Sequence, residues 1–292
     1  MYLVTMSSRG AVVGVKRGRS SGSVYDEAAT IQLKDLISEK TYDQLLFEKI
    51  IFFVEKKGAN PNVKCRSDKT ALMVISWMGR NDINGPFHDK LLKTFKFLLG
   101  REDIDLNVMD NSGTRAIHIV VGMKDPTFLR LLLENRSVRE DINVLDLRRG
   151  LSPLHIACSN GLFPIISIQN LLRYGADPNV QGRYGRTPLH LLMVAYERSN
   201  SHIGELCQIL DFFSQCPTTI LGLRDVRGRT VLHHASMCIY SGVVIDKLLR
   251  MGEYRSLDLR DIHGFTPVNK AEANHNNEAM TVFRQWRFRQ VG

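Results

Sequence analysis

Histidine and cysteine are the residues of this chain whose types and spacing could support metal binding. His155 precedes Cys158 by three residues and His234 precedes Cys238 by four, so each pair would share one face of a helix. A structural zinc site normally needs four such ligands, and no second pair stands at a recognisable spacing from either one. The sequence therefore predicts no metal site and no cofactor.

A search for catalytic motifs gives no candidate. There is no Gly-x-x-x-x-Gly-Lys-Ser/Thr phosphate loop and no His-Glu-x-x-His metalloprotease motif. The paired acids Glu102-Asp103 and Glu140-Asp141 stand just before segments expected to project as loops, where a solvated turn explains them. We therefore predict no catalytic residues and no enzymatic activity.

Amino-acid composition further narrows the class of protein to which this chain could belong. The 292 residues are 43% hydrophobic and 24% charged, enough to bury a substantial core. No uncharged apolar run approaches the roughly 18 residues of a membrane span. The five cysteines are sparse and odd in number, which favours reduced thiols. We expect an intracellular protein, cytoplasmic or nuclear, that does not associate with membranes.

The net charge of +9 is concentrated near the two ends of the sequence. Residues 1–25 contain four basic residues and no acid, and the run Ser7 to Ser23 is rich in serine and glycine, so this segment is predicted to be a flexible basic tail. Lys16-Arg17-Gly18-Arg19 could serve nuclear import or phosphate binding. Direct association with nucleic acid through the tails is therefore one open alternative.

The helices expected to position these side chains begin at recurring anchor residues. In Thr187-Pro188-Leu189-His190 the threonine hydroxyl can cap a helix and the proline suits its first position. Related tetrapeptides recur at intervals of 35 to 45 residues. Their first residues are Thr70, Arg115, Ser152, Thr187, Thr230 and Thr266.

The segment before Thr187 indicates how one unit ends. An apolar helix is predicted to stop at Gly175, where Asp177-Pro178-Asn179 supplies turn-forming residues, and Lys57 to Asn62 repeats this pattern. These junctions and the six tetrapeptides in register resemble ankyrin repeats. The resemblance implies an all-α solenoid of stacked helix pairs with projecting hairpin-like loops. It covers residues 26–288 as about seven units with insertions near 79–90 and 196–203, and leaves 289–292 as a short tail.

The resemblance also implies roles for particular residues. The recurring histidines, replaced by Met73 and Asn269 in the first and last anchored units, would hydrogen-bond loop groups of their own and adjacent repeats. The loop tips are predicted at Arg66-Ser67, Asn111-Ser112, Arg148-Arg149, Arg183-Tyr184, Val226-Arg227 and Ile262-His263.

Basic residues at these tips form the predicted partner-binding site, because guanidinium groups pair with carboxylates and phosphates. The alternative is that they are ordinary loop residues balanced by Asp146, Asp225 and Asp261. The predicted site consists of Arg148, Arg149, Arg183, Tyr184, Arg186, Arg227, Arg229 and His263.

The sequence therefore indicates a non-catalytic protein-interaction module whose partner is a protein with an acidic or phosphorylated segment, held by the loops and inner helices. A narrower alternative is a regulator of Rel-type transcription factors that resembles the inhibitors of NF-κB. An Asp-Ser-Gly phosphodegron and an acidic tail rich in proline and serine are both missing from the sequence, so only an atypical nuclear member of that group would fit.

Overall fold

The computed structural model describes residues 24–39, 45–80, 85–160, 165–199, 203–238 and 241–291. Every regular element in these ranges is helical, and the helices, numbered in chain order, form two layers. The inner layer consists of α1 (Glu27–Ser38), α3 (Ala71–Met78), α5 (Ala116–Val120), α8 (Pro153–Ser159), α10 (Pro188–Ser199), α12 (Val231–Met237) and α14 (Pro267–Ala273). The outer layer consists of α2 (Leu45–Glu55), α4 (His88–Leu99), α6 (Pro126–Leu133), α9 (Ile165–Arg173), α11 (Ile203–Gln215), α13 (Gly242–Arg250) and α15 (Asn277–Val291). A one-turn helix, α7 (Arg136–Glu140), and a 3-10 helix (Glu253–Ser256) lie in the connections.

The inner helices begin where the anchors predict. The Oγ1 atom of Thr70 accepts a hydrogen bond from the Met73 amide at 3.4 Å, and Ser152 and Thr266 cap α8 and α14 in the same way. A proline fills the first position of α8, α10 and α14. That position suits proline because its absent N–H would have had no helical partner.

The predicted end of the unit before Thr187 is also confirmed. Helix α9 stops at Arg173, and Gly175 adopts a left-handed φ of +91°. The Ala176 amide then donates to the Leu171 carbonyl at 2.9 Å, which satisfies one of the free carbonyls of the last helical turn.

Stacking of these pairs creates one continuous core. Neighbouring inner helices contact each other from α3 to α14, and neighbouring outer helices do so from α2 to α15. At the C-terminal end Phe283 of α15 is buried, and Trp286 packs on the core while its Nε1–H donates to Asp246 at 2.8 Å. Because each helix pair buries its apolar face only against its neighbours, the stability of the fold depends on the interfaces between units.

Several predictions fall on residues beyond the described ranges. The basic tail is one, apart from Val24 and Tyr25, and parts of the two predicted insertions are others. The division of the chain into tails and solenoid accordingly remains a prediction. None of the helices in the described part combines the length and apolar character that crossing a membrane requires.

The finger loops as candidate functional site

Six loops project between successive helix pairs, and each contains a tight turn. We call them fingers 1 to 6. They comprise residues 65–68, 110–113, 146–150, 182–185, 225–228 and 261–264. In each finger the amide of the last residue donates to the carbonyl of the first at 2.8–2.9 Å, and that last residue has a φ between +56° and +78°. The predicted tips are the central residues of these turns, and finger 3 is one residue longer, so Leu147 joins Arg148 and Arg149 at its tip.

The recurring histidines hold the fingers to the inner helices. In His155 the Nδ1 atom accepts the Ser152 amide at 3.2 Å, and Nε2 lies 2.9 Å from the Arg186 carbonyl beside the next finger. This geometry requires the neutral tautomer with the proton on Nε2. The same pair of bonds is made by His118, His155, His190 and His233. Burial lowers the pKa of all four rings, that of His190 to about 3, so the predicted structural role is confirmed.

Aspartates begin four of the fingers; Asp146, Asp225 and Asp261 are buried inside their turns, and Asp110 is half-buried. Asp225 shows the pattern: its Oδ1 accepts the amides of Arg227 and Arg229 at 2.9 Å each, and its Oδ2 lies 3.0 Å from Nε2 of His234. Burial by itself would raise the pKa of Asp225, but the bonds from His234 and the two amides hold it well below its usual range. The carboxylate therefore stays charged and serves to fix the finger.

Ion pairs also join the basic residue that follows one finger to the aspartate that opens the next finger. Arg186 Nε lies 3.9 Å from Oδ2 of Asp225, and Arg229 Nε lies 3.5 Å from Oδ2 of Asp261, which Lys270 also contacts at 3.0 Å. Lys69 pairs with Asp110 of finger 2 in the same register, at 3.6 Å. A basic residue directly before a helix-capping threonine, followed by an aspartate opening the next finger, is the sequence signal for these pairs.

Main-chain hydrogen bonds fix the spacing of the tips. Leu147 N donates to Ser112 O at 2.9 Å, and Val226 N donates to Tyr184 O at 3.0 Å. The last two fingers repeat this bond from Ile262 N to Arg227 O at 3.0 Å. These bonds join fingers 2 and 3, 4 and 5, and 5 and 6, and the Arg183 guanidinium donates to the Arg148 carbonyl between fingers 3 and 4, so the tips of fingers 2 to 6 form a fixed row.

The predicted site residues divide into two groups. Arg148, Arg183, Tyr184, Arg227 and His263 are exposed at the tips, together with Arg149, whose Nε lies 3.2 Å from Asp146. Arg186 and Arg229 are partly buried behind the tips and pair with Asp225 and Asp261. The row therefore brings six of the eight predicted residues to the surface and places two beneath it.

The acidic residues that could balance the tip charges are buried. Asp146, Asp225 and Asp261 are 3%, 6% and 4% exposed, and each contacts a basic side chain within the fingers and inner helices. Within the described ranges, none of Arg148, Arg183 and Arg227 is paired with a carboxylate. These three guanidinium groups give the outer surface of the fingers its positive charge.

Finger 4 has no acid because a side chain cannot fit there. A Cβ atom on Gly182 would stand 2.6 Å from the Gly150 carbonyl oxygen, closer than non-bonded atoms approach. Gly182 replaces the aspartate that opens fingers 2, 3, 5 and 6, so the positive charge of Arg183 has no carboxylate in its own turn.

Apolar side chains at the tips were missed as site residues by the sequence reasoning. Leu147, Val226 and Ile262 are 72%, 63% and 64% exposed, and each occupies the first tip position of its finger. Such exposure of a large apolar side chain is informative when several members line up on a fixed scaffold. Their common signal is the position directly after a buried aspartate.

A cleft of about 350 Å³ opens between fingers 4 and 5. Its walls are Tyr184, Arg186, Asp225, Val226 and Arg227. It offers an aromatic ring and a valine beside two guanidinium groups, which suits one acidic or amphipathic side chain of a partner.

The cysteine and histidine pairs have ordinary packing roles. Cys158 and Cys238 are buried, burial raises the pKa of both thiols, and all five cysteines are free of disulfides. The His234 ring bonds Asp225, while the Cys238 thiol donates to the main-chain carbonyls of His234 and Met193 at 3.4 and 3.5 Å. Across the described part of the chain, no cluster of three or more potential ligands is arranged to hold a metal ion.

These features define an α-solenoid that displays a row of bonded fingers, a class of protein built for recognition. Residues 87–181 match the family model described as ankyrin repeats, in three copies. The fold is also similar to the crystal structure of the ankyrin repeat domain of Bcl-3, a unique member of the IkappaB protein family. That match has a TM-score of 0.60 at 20% identity and covers 86% of this chain and 97% of that domain. Residues 87–181 are therefore ankyrin repeats, the described part of the chain has the fold of an ankyrin repeat domain, and such repeats form protein-interaction modules.

Curated relatives share the repeats within much larger proteins. The chain is 27% identical over 167 residues to the tyrosine-protein kinase HTK16 of Hydra vulgaris and 28% identical over 191 residues to the human transient receptor potential cation channel subfamily A member 1. It is 33% identical over 87 residues to the mouse B-cell lymphoma 3 protein homolog. These matches cover 57%, 63% and 30% of this chain but only 20%, 16% and 18% of those proteins.

Proposed function

We propose that this chain is a non-catalytic recognition module whose finger tips and inner helices hold a protein partner through an acidic segment. The observation that carries the proposal is the charge arrangement of fingers 3 to 5. Arg148, Arg183 and Arg227 are exposed and free of carboxylates, while Asp146 and Asp225 of fingers 3 and 5 are buried and finger 4 has no aspartate. Guanidinium groups held at fixed spacing can pair with carboxylates or phosphates in two-pronged geometry.

The direct test is partner capture by the full chain and by a variant carrying Arg148→Glu, Arg183→Glu and Arg227→Glu, both after nuclease treatment. A matched control reverses three exposed basic residues of the outer helices instead, with Lys49→Glu, Arg130→Glu and Arg173→Glu. We expect the finger variant to lose its main protein partner while the control retains it. Equal recovery by the two variants would reject the finger surface as the binding site.

Nucleic-acid association through the basic tail is the competing outcome of this experiment. Changing Lys16, Arg17 and Arg19 to serine removes three charges from that segment without touching the described repeats. Recovery that depends on these residues, and that falls steeply with added salt, would identify nucleic acid as the ligand.

A second candidate function is regulation of a Rel-type transcription factor. It is favoured by the likeness of the fold to the Bcl-3 repeat domain and by the sequence match to the B-cell lymphoma 3 protein homolog. The test is direct binding of the purified chain to a purified Rel-homology domain, measured by titration calorimetry. Absence of binding at micromolar concentrations would remove this candidate and leave the general recognition proposal standing.

A further inference from the structure

Fingers 3 and 4 approach each other closely because two glycines stand at their contact. A Cβ atom on Gly182 would lie 2.6 Å from the Gly150 carbonyl oxygen. A Cβ atom on Gly150 would lie 2.9 Å from the Arg183 nitrogen and 3.1 Å from the Arg183 Cβ. The base of the Arg183 side chain therefore packs beside the residue that directly follows Arg149.

Three exposed arginines lie at this contact, and we call them the arginine cluster. They are Arg148 and Arg149 at the tip of finger 3 and Arg183 at the tip of finger 4. The Arg183 side chain reaches across to finger 3, where its Nη1 donates to the Arg148 carbonyl at 3.2 Å. Arg149 is directed toward Asp146, with Nε 3.2 Å from Oδ2, yet its side chain stays 58% exposed. The cluster is therefore open to solvent and spans two fingers.

The arginine cluster carries an excess of positive charge. Its contacting carboxylate is Asp146, which also accepts the amides of Arg149 at 2.7 Å and Leu151 at 3.3 Å. Finger 4 contributes no carboxylate, because Gly182 stands where other fingers have aspartate. Three guanidinium charges against one carboxylate leave an excess of about two positive charges at neutral pH. An occupant that balances the cluster must supply about two negative charges.

The neighbouring cleft between fingers 4 and 5 has a smaller excess. Its charged lining residues are Arg186, Arg227 and Asp225, so about one positive charge remains there. The single charge of a carboxylate side chain balances that cleft. A phosphate monoester carries about 1.5 to 2 negative charges at pH 7 and offers three acceptor oxygens. Its charge therefore matches the arginine cluster.

On the basis of the proposed function, we infer that the arginine cluster is a binding subsite for one phosphorylated side chain of the protein partner. The phosphate oxygens accept hydrogen bonds from guanidinium groups of both fingers. Neutral tips border the cluster, with Asn111-Ser112 in finger 2 on one side and Tyr184 and Val226 on the other. This arrangement suits a single phosphate, whereas a nucleic-acid backbone needs basic groups repeated along its path.

The test uses libraries of short random peptides that differ only at a fixed central residue, which is phosphoserine, phosphotyrosine or glutamate. The full chain is the bait. Each enriched peptide is synthesised again with and without glutamate in place of the phosphorylated residue, and both forms are titrated by fluorescence anisotropy. We expect the phosphorylated libraries to be enriched, and we expect replacement by glutamate to weaken binding about tenfold or more.

A pair of variants locates the phosphate. Arg148→Gln with Arg183→Gln removes two guanidinium groups of the cluster, and we expect this chain to bind the phosphorylated and glutamate forms with nearly equal affinity. The matched control is Arg66→Gln with Arg227→Gln, which removes two exposed finger arginines outside the cluster. It should keep the preference for phosphate even where it weakens both forms alike. Thermal melting followed by circular dichroism checks that both variants are folded.

Failure of this inference can be distinguished from failure of the proposed function. Acidic peptides that bind the fingers equally well with phosphate or glutamate would overturn the inference and leave the proposed function intact. A phosphate preference that survives the loss of Arg148 and Arg183 would also overturn it, because the phosphate would then bind elsewhere. Displacement of the peptides by single-stranded DNA, more strongly as its length grows, would assign the cluster to nucleic acid. If none of the libraries is enriched, the inference and the proposed function fail together.

Discussion

The Nε2 atom of His234 lies 3.0 Å from Oδ2 of Asp225, and both side chains are buried. The bond ties inner helix α12 to the turn of finger 5, whose amides at Arg227 and Arg229 are held by the other carboxylate oxygen. One aspartate thereby fixes a recognition loop to the scaffold. The same carboxylate also forms an ion pair with Arg186 of the preceding unit.

Replacement of Asp225 by alanine should therefore destabilise the solenoid. Loss of the carboxylate leaves His234 and Arg186 without their partner, and breaking a buried pair of this kind costs about 3–5 kcal/mol. Urea unfolding followed by circular dichroism measures the change. Asp258→Ala is the matched control, since its 3.4 Å ion pair with Arg287 is exposed and should be worth less than about 1 kcal/mol. Equal losses for the two variants would contradict the assigned role of Asp225.

The contribution of the Asp225 carboxylate to the stability of the fold should also be lost in acid. The pKa of Asp225 is lowered in the folded chain, so its stabilisation is present above the ordinary carboxyl pKa of about 4 and is lost as the pH falls through the lowered value. The Asp225→Ala variant should therefore lose less stability than the natural chain between neutral and strongly acidic pH. Parallel stability profiles for the two proteins would contradict this.

Glu253 should give the opposite pH dependence. Its side chain is 1% exposed, and burial raises its pKa to about 7, although the hydroxyls of Ser256 and Thr230 act to lower it. A raised folded-state pKa means that the stability is fully present below the ordinary value of 4.5 and is lost as the pH rises through about 7.

The variant Glu253→Gln keeps the shape of the side chain without its charge. We expect it to melt several degrees higher than the natural chain near pH 8 and at nearly the same temperature near pH 5, by scanning calorimetry. Glu48→Gln, on the exposed face of α2, is the control and should not alter the profile. A Glu253→Gln chain whose advantage is the same at both pH values would show that ionisation is not the cause.

Much of this architecture could be predicted from local sequence. Each helix start depends on a capping hydroxyl within three residues, and each finger tip depends on a turn of four or five residues. Residues such as Thr70 and Gly175 therefore show in the local sequence where a helix begins or ends. The ring contacts of His155 were expected because of the family resemblance. Arg115 departs from the pattern: its guanidinium reaches Asn107 and Asp141 at 3.0 and 2.8 Å, so it braces the loop that contains α7.

The pairings between fingers could not be predicted in the same way. Arg186 and Asp225 are 39 positions apart, and their contact depends on how two units stack rather than on either local pattern. The exposed tips raise the same difficulty, because an isolated Val226 or Ile262 in a sequence is indistinguishable from a core residue. Only the stacked solenoid shows that the acids are buried while the apolar tips are exposed.

The hydrogen bonds of the recurring histidines predict that loss of the His190 ring destabilises the fold far more than loss of the His263 ring. His190→Ala removes the acceptor of the buried Thr187 amide and the donor to the half-buried Arg229 carbonyl. The cost should be roughly 2–4 kcal/mol, since each unsatisfied buried group costs about 1–3 kcal/mol. His263→Ala, at an exposed tip, should leave urea unfolding unchanged. If His263→Ala were as damaging as His190→Ala, the structural role of the recurring histidines would be refuted.

Contact between successive fingers can be isolated by a pair of glycine substitutions. Gly58 and Gly113 both adopt a φ of +68°, so alanine at either position pays a similar backbone penalty of roughly 1–2 kcal/mol. A Cβ atom on Gly58 would meet nothing within 4 Å, whereas one on Gly113 would stand 2.7 Å from the Leu147 backbone nitrogen. Gly113→Ala must push finger 3 away and break the bond from Leu147 N to Ser112 O, at an added cost of about 1–3 kcal/mol.

We therefore expect Gly113→Ala to be more destabilising than Gly58→Ala in urea unfolding. We also expect Gly113→Ala to speed hydrogen exchange at the Leu147 amide, whereas Gly58→Ala leaves that amide protected. Equal protection of Leu147 in the two variants would mean that the fingers do not hold one another in place.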